Sequence, residues 1–170
     1  MSGVTIRAAR AGDEAAIAAI YNEGIAGGRA TFETRPRTDE EVALWLRESG
    51  PLLVAADGER LLGWARVTPY SDRCVYAGVG EYAVYVAEAA RGRGIGRALL
   101  DALCAEAQAR GLHKLIGRMF AINAASRALA RAAGFREIGV ERRHGRVDGE
   151  WRDCVPVERL LGEAAEWVST

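Results

Sequence analysis

Cysteine is scarce and scattered: Cys74, Cys104 and Cys154 are the three in a chain of 170 residues. An odd number at wide spacing makes no disulfide framework and no metal-ligand pattern, so no metal is expected. A reducing compartment suits such thiols, and a cytoplasmic protein is expected. Excess charge of either sign is also missing, with Lys+Arg 23 against Asp+Glu 23. A nucleic-acid binder would carry a basic stripe, so neither nucleic acid nor an anionic membrane is an expected partner. There are two histidines, His113 opening a strand and His144 in a charged loop, both read as structural. The N-terminus has no apolar signal run, and no apolar stretch is long enough to span a membrane. Repeats, linkers and low-complexity tracts are absent, and the length fits one domain over residues 1–170.

What is present centres on residues 82–100, Tyr-Ala-Val-Tyr-Val-Ala-Glu-Ala-Ala-Arg-Gly-Arg-Gly-Ile-Gly-Arg-Ala-Leu-Leu. Tyr82, Val84, Tyr85 and Val86 favour an extended chain. Ile95, Leu99, Leu103 and Ala107 recur at helical spacing. Between strand and helix, Gly92, Gly94 and Gly96 alternate with Arg91, Arg93 and Arg97. A helix N-terminus offers free N–H groups and partial positive charge, so this entrance is a socket for phosphate oxygens. The P-loop ending Gly-Lys-Ser/Thr is missing, and Arg97 stands where a dinucleotide fingerprint needs glycine.

Elsewhere the chain alternates strand and helix signals. Val4 to Ala8 predicts a strand, and Asp13 an N-cap for a helix with Ile17, Ile20, Tyr21 and Gly24 on one face. Gly27-Gly28 ends that helix. Phe32 is the one aromatic residue in the loop 29–36, either a plug on the core or a pocket wall. Thr38 to Glu41 has capping-box form and opens a helix through Val42, Leu44, Trp45 and Leu46. Leu52 to Ala56 and Leu61 to Pro69 flank Asp57-Gly58 as a hairpin. Strands follow at Gly78 to Val86 and His113 to Phe120. Asn123 caps a helix holding Ala125, Leu129 and Ala132, which Gly134 ends. Phe135 to Arg142 and Val147 to Leu160, interrupted by Gly149 and Pro156, read as the last strands. This order implies an α/β fold with a mixed, mostly antiparallel sheet flanked by helices.

The pattern Arg91-x-x-Gly94-x-Gly96 resembles the acetyl-CoA pyrophosphate loop, Arg/Gln-x-x-Gly-x-Gly/Ala, of the GNAT N-acetyltransferases. The element order is also theirs. Over Ile6 to Leu160 the chain looks like the subfamily acting on phosphinothricin, methionine sulfoximine and arsinothricin. The residues are Ala30 to Pro36, Arg73-Cys74-Val75-Tyr76, Glu81, Val84 to Val86, Asn123 and Gly149 to Asp153. The resemblance implies acetyl-CoA as donor, a small amino-acid-like amine as acceptor, a homodimer, and direct attack of the amine on the thioester.

It also implies roles. Glu81 matches the base that deprotonates the ammonium; a carboxylate beside an apolar strand suits the task, because partial burial favours its neutral form. The backbone of Val84, Tyr85 and Val86 pairs with the pantetheine arm and stabilises the oxyanion. Arg91, Gly92, Arg93, Gly94, Ile95, Gly96 and Arg97 hold the diphosphate, and Asn123 and Ser126 the arm or its sulfur. Asn123 is as readily a plain N-cap. Arg73 matches an arginine for the acceptor's acidic group, Tyr76 a hydroxyl donor and Phe32 an apolar wall. Two positions depart from the family. Ala130 stands where many relatives have a tyrosine acid, leaving Tyr85 or water for that role, or departure of a free thiolate. Ser71 replaces a lysine of the phosphinothricin enzymes. Trp151 and Asp153 either close the substrate site or anchor the last strand. The alternatives are acetylation of another amine, such as an amino acid or a protein N-terminus, and a non-catalytic acyl-CoA sensor.

Overall fold

The protein is described from a computed structural model covering residues 3–168. The elements are β1 Val4–Ala8, α1 Glu14–Ala26, α2 Asp39–Trp45, β2 Leu52–Asp57, β3 Arg60–Pro69, β4 Val79–Val86, α3 Ile95–Ala109, β5 Lys114–Phe120, α4 Ala124–Ala132, β6 Arg136–Glu137, β7 Glu141–Val147, β8 Glu150–Leu160 and α5 Glu163–Glu166. Short 3₁₀ turns precede β4 at Cys74–Tyr76 and α3 at Glu88–Ala90. The strands form one sheet in the order β1-β2-β3-β4-β5-β8-β6, with β7 also on β8. Among the described residues, β4 and β5 are the one parallel pair. α/β order and a mixed, mostly antiparallel sheet are both as expected.

Helices cover both faces. The α3 stripe Ile95, Leu99, Leu103 and Ala107 is buried in one cluster with Ala65 of β3, Leu115 of β5 and Val157 of β8. On the other face Ile17, Ile20 and Tyr21 of α1 and Val42 of α2 pack on Val54 and Trp64. Burying a large apolar side chain stabilises by ~1.5–3 kcal/mol, so this two-sided stripe pattern sets the layer order. Gly24 belongs to the inner face of α1 because a Cβ there would lie 2.8 Å from the Tyr85 ring.

Local signals mostly act as expected. Thr38 makes the capping box with Glu41. Asp13 occupies the N-cap of α1 without capping it. Its carboxylate is drawn off by Arg7, at 2.7 Å, and by the Arg10 N–H. The β2–β3 loop is Gly58-Glu59, since Asp57 still pairs with Arg60. In α4 and its C-cap the inward residues are Ala130, Ala133 and, in part, Leu129, whereas Ala125 and Ala132 face out. The largest departure is at the end of the chain. The expected strand from Phe135 to Arg142 is broken into the two residues of β6 and, from Glu141, the start of β7. Gly149 does not interrupt a strand: Asp148 (φ 50°) and Gly149 (φ 79°) form the turn between β7 and β8. A two-residue hairpin loop with both φ positive matches strand twist, and Asp-Gly supplies it. His144 accordingly lies within β7, not in a loop.

Candidate active site

The site begins where β4 leaves β5. Their pairing covers Val79, Gly80 and Glu81 against Lys114, Leu115 and Ile116, and then stops. β4 continues on β3 as far as Val86 opposite Gly63. One side of β4 is therefore bare from Tyr82 onward. Which residues face that side follows from alternation. The Tyr70 N–H donates to Val79 C=O and the Ala87 N–H to Leu62 C=O. Val79, Glu81, Ala83 and Tyr85 thus turn their backbones to β3, and Val84 and Val86 turn theirs into the gap. Tyr85 was expected with them as a backbone contact for the arm; its own N–H and C=O face β3 instead.

At the far end of the gap stands the arginine-glycine turn. Gly94 caps α3 at φ 77°, a conformation that strains any residue with a Cβ. A Cβ on Gly92 or Gly94 would meet no atom within 4 Å, so both are open to the outside. Gly96 differs: its Cβ would come 3.0 Å from Leu129 Cδ2, so this glycine lets α3 close on α4. Arg91 donates from Nε to Val86 C=O at 3.3 Å, bridging turn and gap. Arg93 is exposed and makes no ion pair among the described residues. Arg97 is held by Asp101 one turn on, at 2.6 Å. Ile95 is buried in the core and offers its backbone only. Asn123 accepts from the Ser126 N–H and donates to Arg29 C=O, so it caps α4 and ties down the loop after α1.

Glu81 sits at the apex on the α1–α2 face. Its carboxylate is partly buried, with the side chain 39% exposed, and Arg118 Nη1 of β5 lies 3.7 Å away. Arg118 is gripped by Glu141 of β7 through Nε at 2.7 Å and Nη2 at 3.2 Å. That hydrogen-bonded guanidinium holds the Glu141 carboxyl below the usual range and raises Arg118 in turn. Neither Arg118 nor Glu141 was singled out from the sequence, although an arginine inside Leu-Ile-Gly-Arg-Met-Phe was a visible signal.

The other predicted residues divide. Arg73 and Tyr76 come together in the turn before β4, with the guanidinium 5.6 Å from the ring. Neither contacts Glu81 through a hydrogen bond or ion pair. Phe32 packs edge-on against Phe120 at 4.7 Å and covers Gly145. The plug reading of Phe32 describes those contacts, and the ring lies on the face that carries Glu81. Ala130 is fully buried in the α3 core and brings no hydroxyl. Tyr85 stacks on Trp64 at 4.9 Å, and burial pushes its phenol up. Beside it opens a cavity of about 360 Å³ lined by Tyr21, Trp45, Trp64, Arg66 and Ala83, with Arg66 3.9 Å over Trp45. Trp151 is exposed under Arg146, and Asp153 accepts from the Arg143 N–H, so both stitch β7 to β8.

A strand split above a glycine-capped helix entrance, with a carboxylate at the apex, defines an acyltransferase that takes its acyl group from coenzyme A. Comparison with known proteins gives the family. The profile described as Acetyltransferase (GNAT) family matches residues 17–135. A phosphinothricin N-acetyltransferase of Streptomyces coelicolor is 39% identical over 84% of this chain and 87% of its own. An L-methionine sulfoximine/L-methionine sulfone acetyltransferase of Pseudomonas paraeruginosa is 34% identical over 88% and 90%. The crystal structure of a Sinorhizobium meliloti phosphinothricin acetyltransferase with acetyl-CoA superposes with a TM-score of 0.90 at 32% identity, covering 99% of this chain and 94% of that one. The chain belongs to the GNAT acetyltransferase family and is an N-acetyltransferase that uses acetyl-CoA. No cluster of His, Cys, Asp and Glu among the described residues could hold a metal ion, and no helix there is long and apolar enough to cross a membrane.

Proposed function

We propose that the protein acetylates the α-amine of a small glutamate-analogue amino acid, of the phosphinothricin, methionine sulfoximine or arsinothricin type, and so confers resistance to it. The observation that carries this reading is the bare edge of β4, with Glu81 at the point where the strands part. Acetyl-CoA enters along that edge, its arm pairing with Val84 and Val86 as an added strand. Its diphosphate lies on the free N–H groups at the start of α3, among Arg91, Gly92, Arg93, Gly94, Ile95, Gly96 and Arg97. Asn123 and Ser126 border the arm from α4.

Reaction takes place with donor and acceptor bound together. Glu81 removes a proton from the ammonium, directly or through one water. The amine nitrogen bonds to the thioester carbon, the oxygen becomes negative, and the Val84 N–H stabilises it. The carbon–sulfur bond then breaks and the nitrogen gives up its second proton to water, leaving the neutral acetamide and the thiolate of coenzyme A. Arg73 and Tyr76 take the acceptor's polar tip, and Phe32 walls its apolar part. A planar guanidinium fork suits phosphinate, arsinate or sulfoximine oxygens. The protein acts in the cytoplasm as one acetyltransferase domain, paired as a homodimer. Exposed Val75, Tyr76 and Trp151 support the pairing, as side chains a second copy would cover.

The test is thiol release from acetyl-CoA with phosphinothricin, methionine sulfoximine, arsinothricin, glutamate and a short peptide. The reading expects release with one or more of the first three, and Glu81→Gln to lower kcat/KM by roughly 10²–10⁴-fold with coenzyme A affinity retained. Coenzyme A uptake without release from any amine would favour the sensor instead.

A further inference from the structure

Arg118 is a charged side chain within the apolar run Leu115 to Phe120 of β5, and the reaction above leaves it without a task. Its Nε and Nη2 are committed to Glu141 of β7 at 2.7 and 3.2 Å, which fixes the plane of the guanidinium. The N–H groups on Nη1, and the second one on Nη2, are not used by Glu141. Nη1 points at Glu81, 3.7 Å from Oε1. That gap is too long for a hydrogen bond, so each charge keeps capacity for a third party. Both residues rise from the same face of the sheet, one from each arm of the split, since Glu81 pairs with Ile116 and Arg118 is the next residue of β5 on that face.

We propose that Arg118 binds the α-carboxylate of the acceptor, so that the enzyme requires a free α-amino acid rather than a peptide N-terminus or a simple amine. This rests on the reading of Glu81 as the base. An α-amino acid carries ammonium and carboxylate on one carbon, and laid across the pair it matches both charges: ammonium to Glu81, carboxylate to the Nη1 side of Arg118. The carboxylate then presents the nitrogen to the base and to the thioester held along β4. A peptide offers a neutral amide at that place, leaving the arginine without its anion. Arg73 remains for the far end of the acceptor, which gives the two arginines different oxygens to read.

The experiment compares L-methionine sulfone with its α-carboxamide, because a sulfone tip is uncharged and the carboxylate is then the one anion. Rates are expressed per neutral amine, since an amide lowers the pKa of its neighbouring amine. Wild-type protein is expected to prefer the acid by roughly ten- to hundredfold in kcat/KM, the range for a charge-assisted hydrogen bond. Arg118→Met is expected to erase that preference, raising KM for the acid by a similar factor while kcat changes far less. Arg118→Lys is expected to recover part of it. Equal use of acid and amide by the wild type, or an equal loss on both in Arg118→Met, would reduce Arg118 to a strut between β5 and β7. The wild-type comparison decides even where the variant does not fold. Should no amine be turned over, calorimetry of methionine sulfone on coenzyme A-saturated protein reads the site directly: affinity lost in Arg118→Met supports it, and unchanged affinity overturns it.

Discussion

Tyr82 of β4 lies across Gly117 of β5, with its Cζ 2.6 Å from the place a Cβ on that glycine would take. These are the residues immediately after the last β4–β5 pair, so the ring stands at the point where the strands part. It is held there by Phe135, with ring centroids 4.9 Å apart. A bulky ring on one strand and no side chain on the other form a wedge at the apex of the split.

Gly117→Ala is expected to displace this ring. Overpacking a core site costs about 1–3 kcal/mol, and the shift falls where the acyl arm enters. Thermal denaturation should show the loss, and calorimetry a weaker uptake of coenzyme A. Unchanged values for both would mean that the wedge does not set the opening.

Gly94→Ala tests the helix entrance. Nothing blocks the added methyl, but φ 77° strains it by about 1–2 kcal/mol. Coenzyme A affinity is expected to fall more than for Gly96→Ala scaled to equal stability loss, because Gly96 packs on Leu129 instead of facing the gap.

Asp13 carries a pH dependence. The hydrogen-bonded Arg7 guanidinium, helped by the Arg10 N–H, holds its carboxyl below the ordinary range. The folded state therefore binds fewer protons here than the unfolded chain does. The stabilisation is complete above about pH 4 and fades as the pH falls through the folded value. Asp13→Asn should cost about 1–3 kcal/mol at neutral pH, and less as the pH is lowered. Urea denaturation at two pH values measures this.

Asn123→Ala removes the cap of α4 and the bond to Arg29. A loss of about 1 kcal/mol is expected from the cap. Hydrogen exchange should rise at the Ser126 N–H, which loses its acceptor.

Much of this architecture was legible in the residue order because the signals are local. Thr38 and Glu41 sit within one turn, Gly94 and Ile95 adjoin, and the α3 stripe repeats within a single helix. The end of the chain was less legible. Glu141 to Val147 and Glu150 to Asp153 alternate weakly, since this hairpin is largely exposed and little burial imposes a period. The glycines also looked alike as letters; their neighbours divide them into Gly92 and Gly94 at the opening and Gly96, Gly24 and Gly117 at tight contacts.

By itself the sequence determined the alternation of strand and helix, the caps, and the arginine-glycine turn with a carboxylate upstream, all set by residues a few positions apart. Only the tertiary structure decided that β4 parts from β5 after Glu81, that Val84 and not Tyr85 turns its N–H into the gap, and that Arg118, held by Glu141, faces Glu81. Those depend on how twisted strands from distant segments are placed side by side, which packing of the whole sheet fixes and no local window contains.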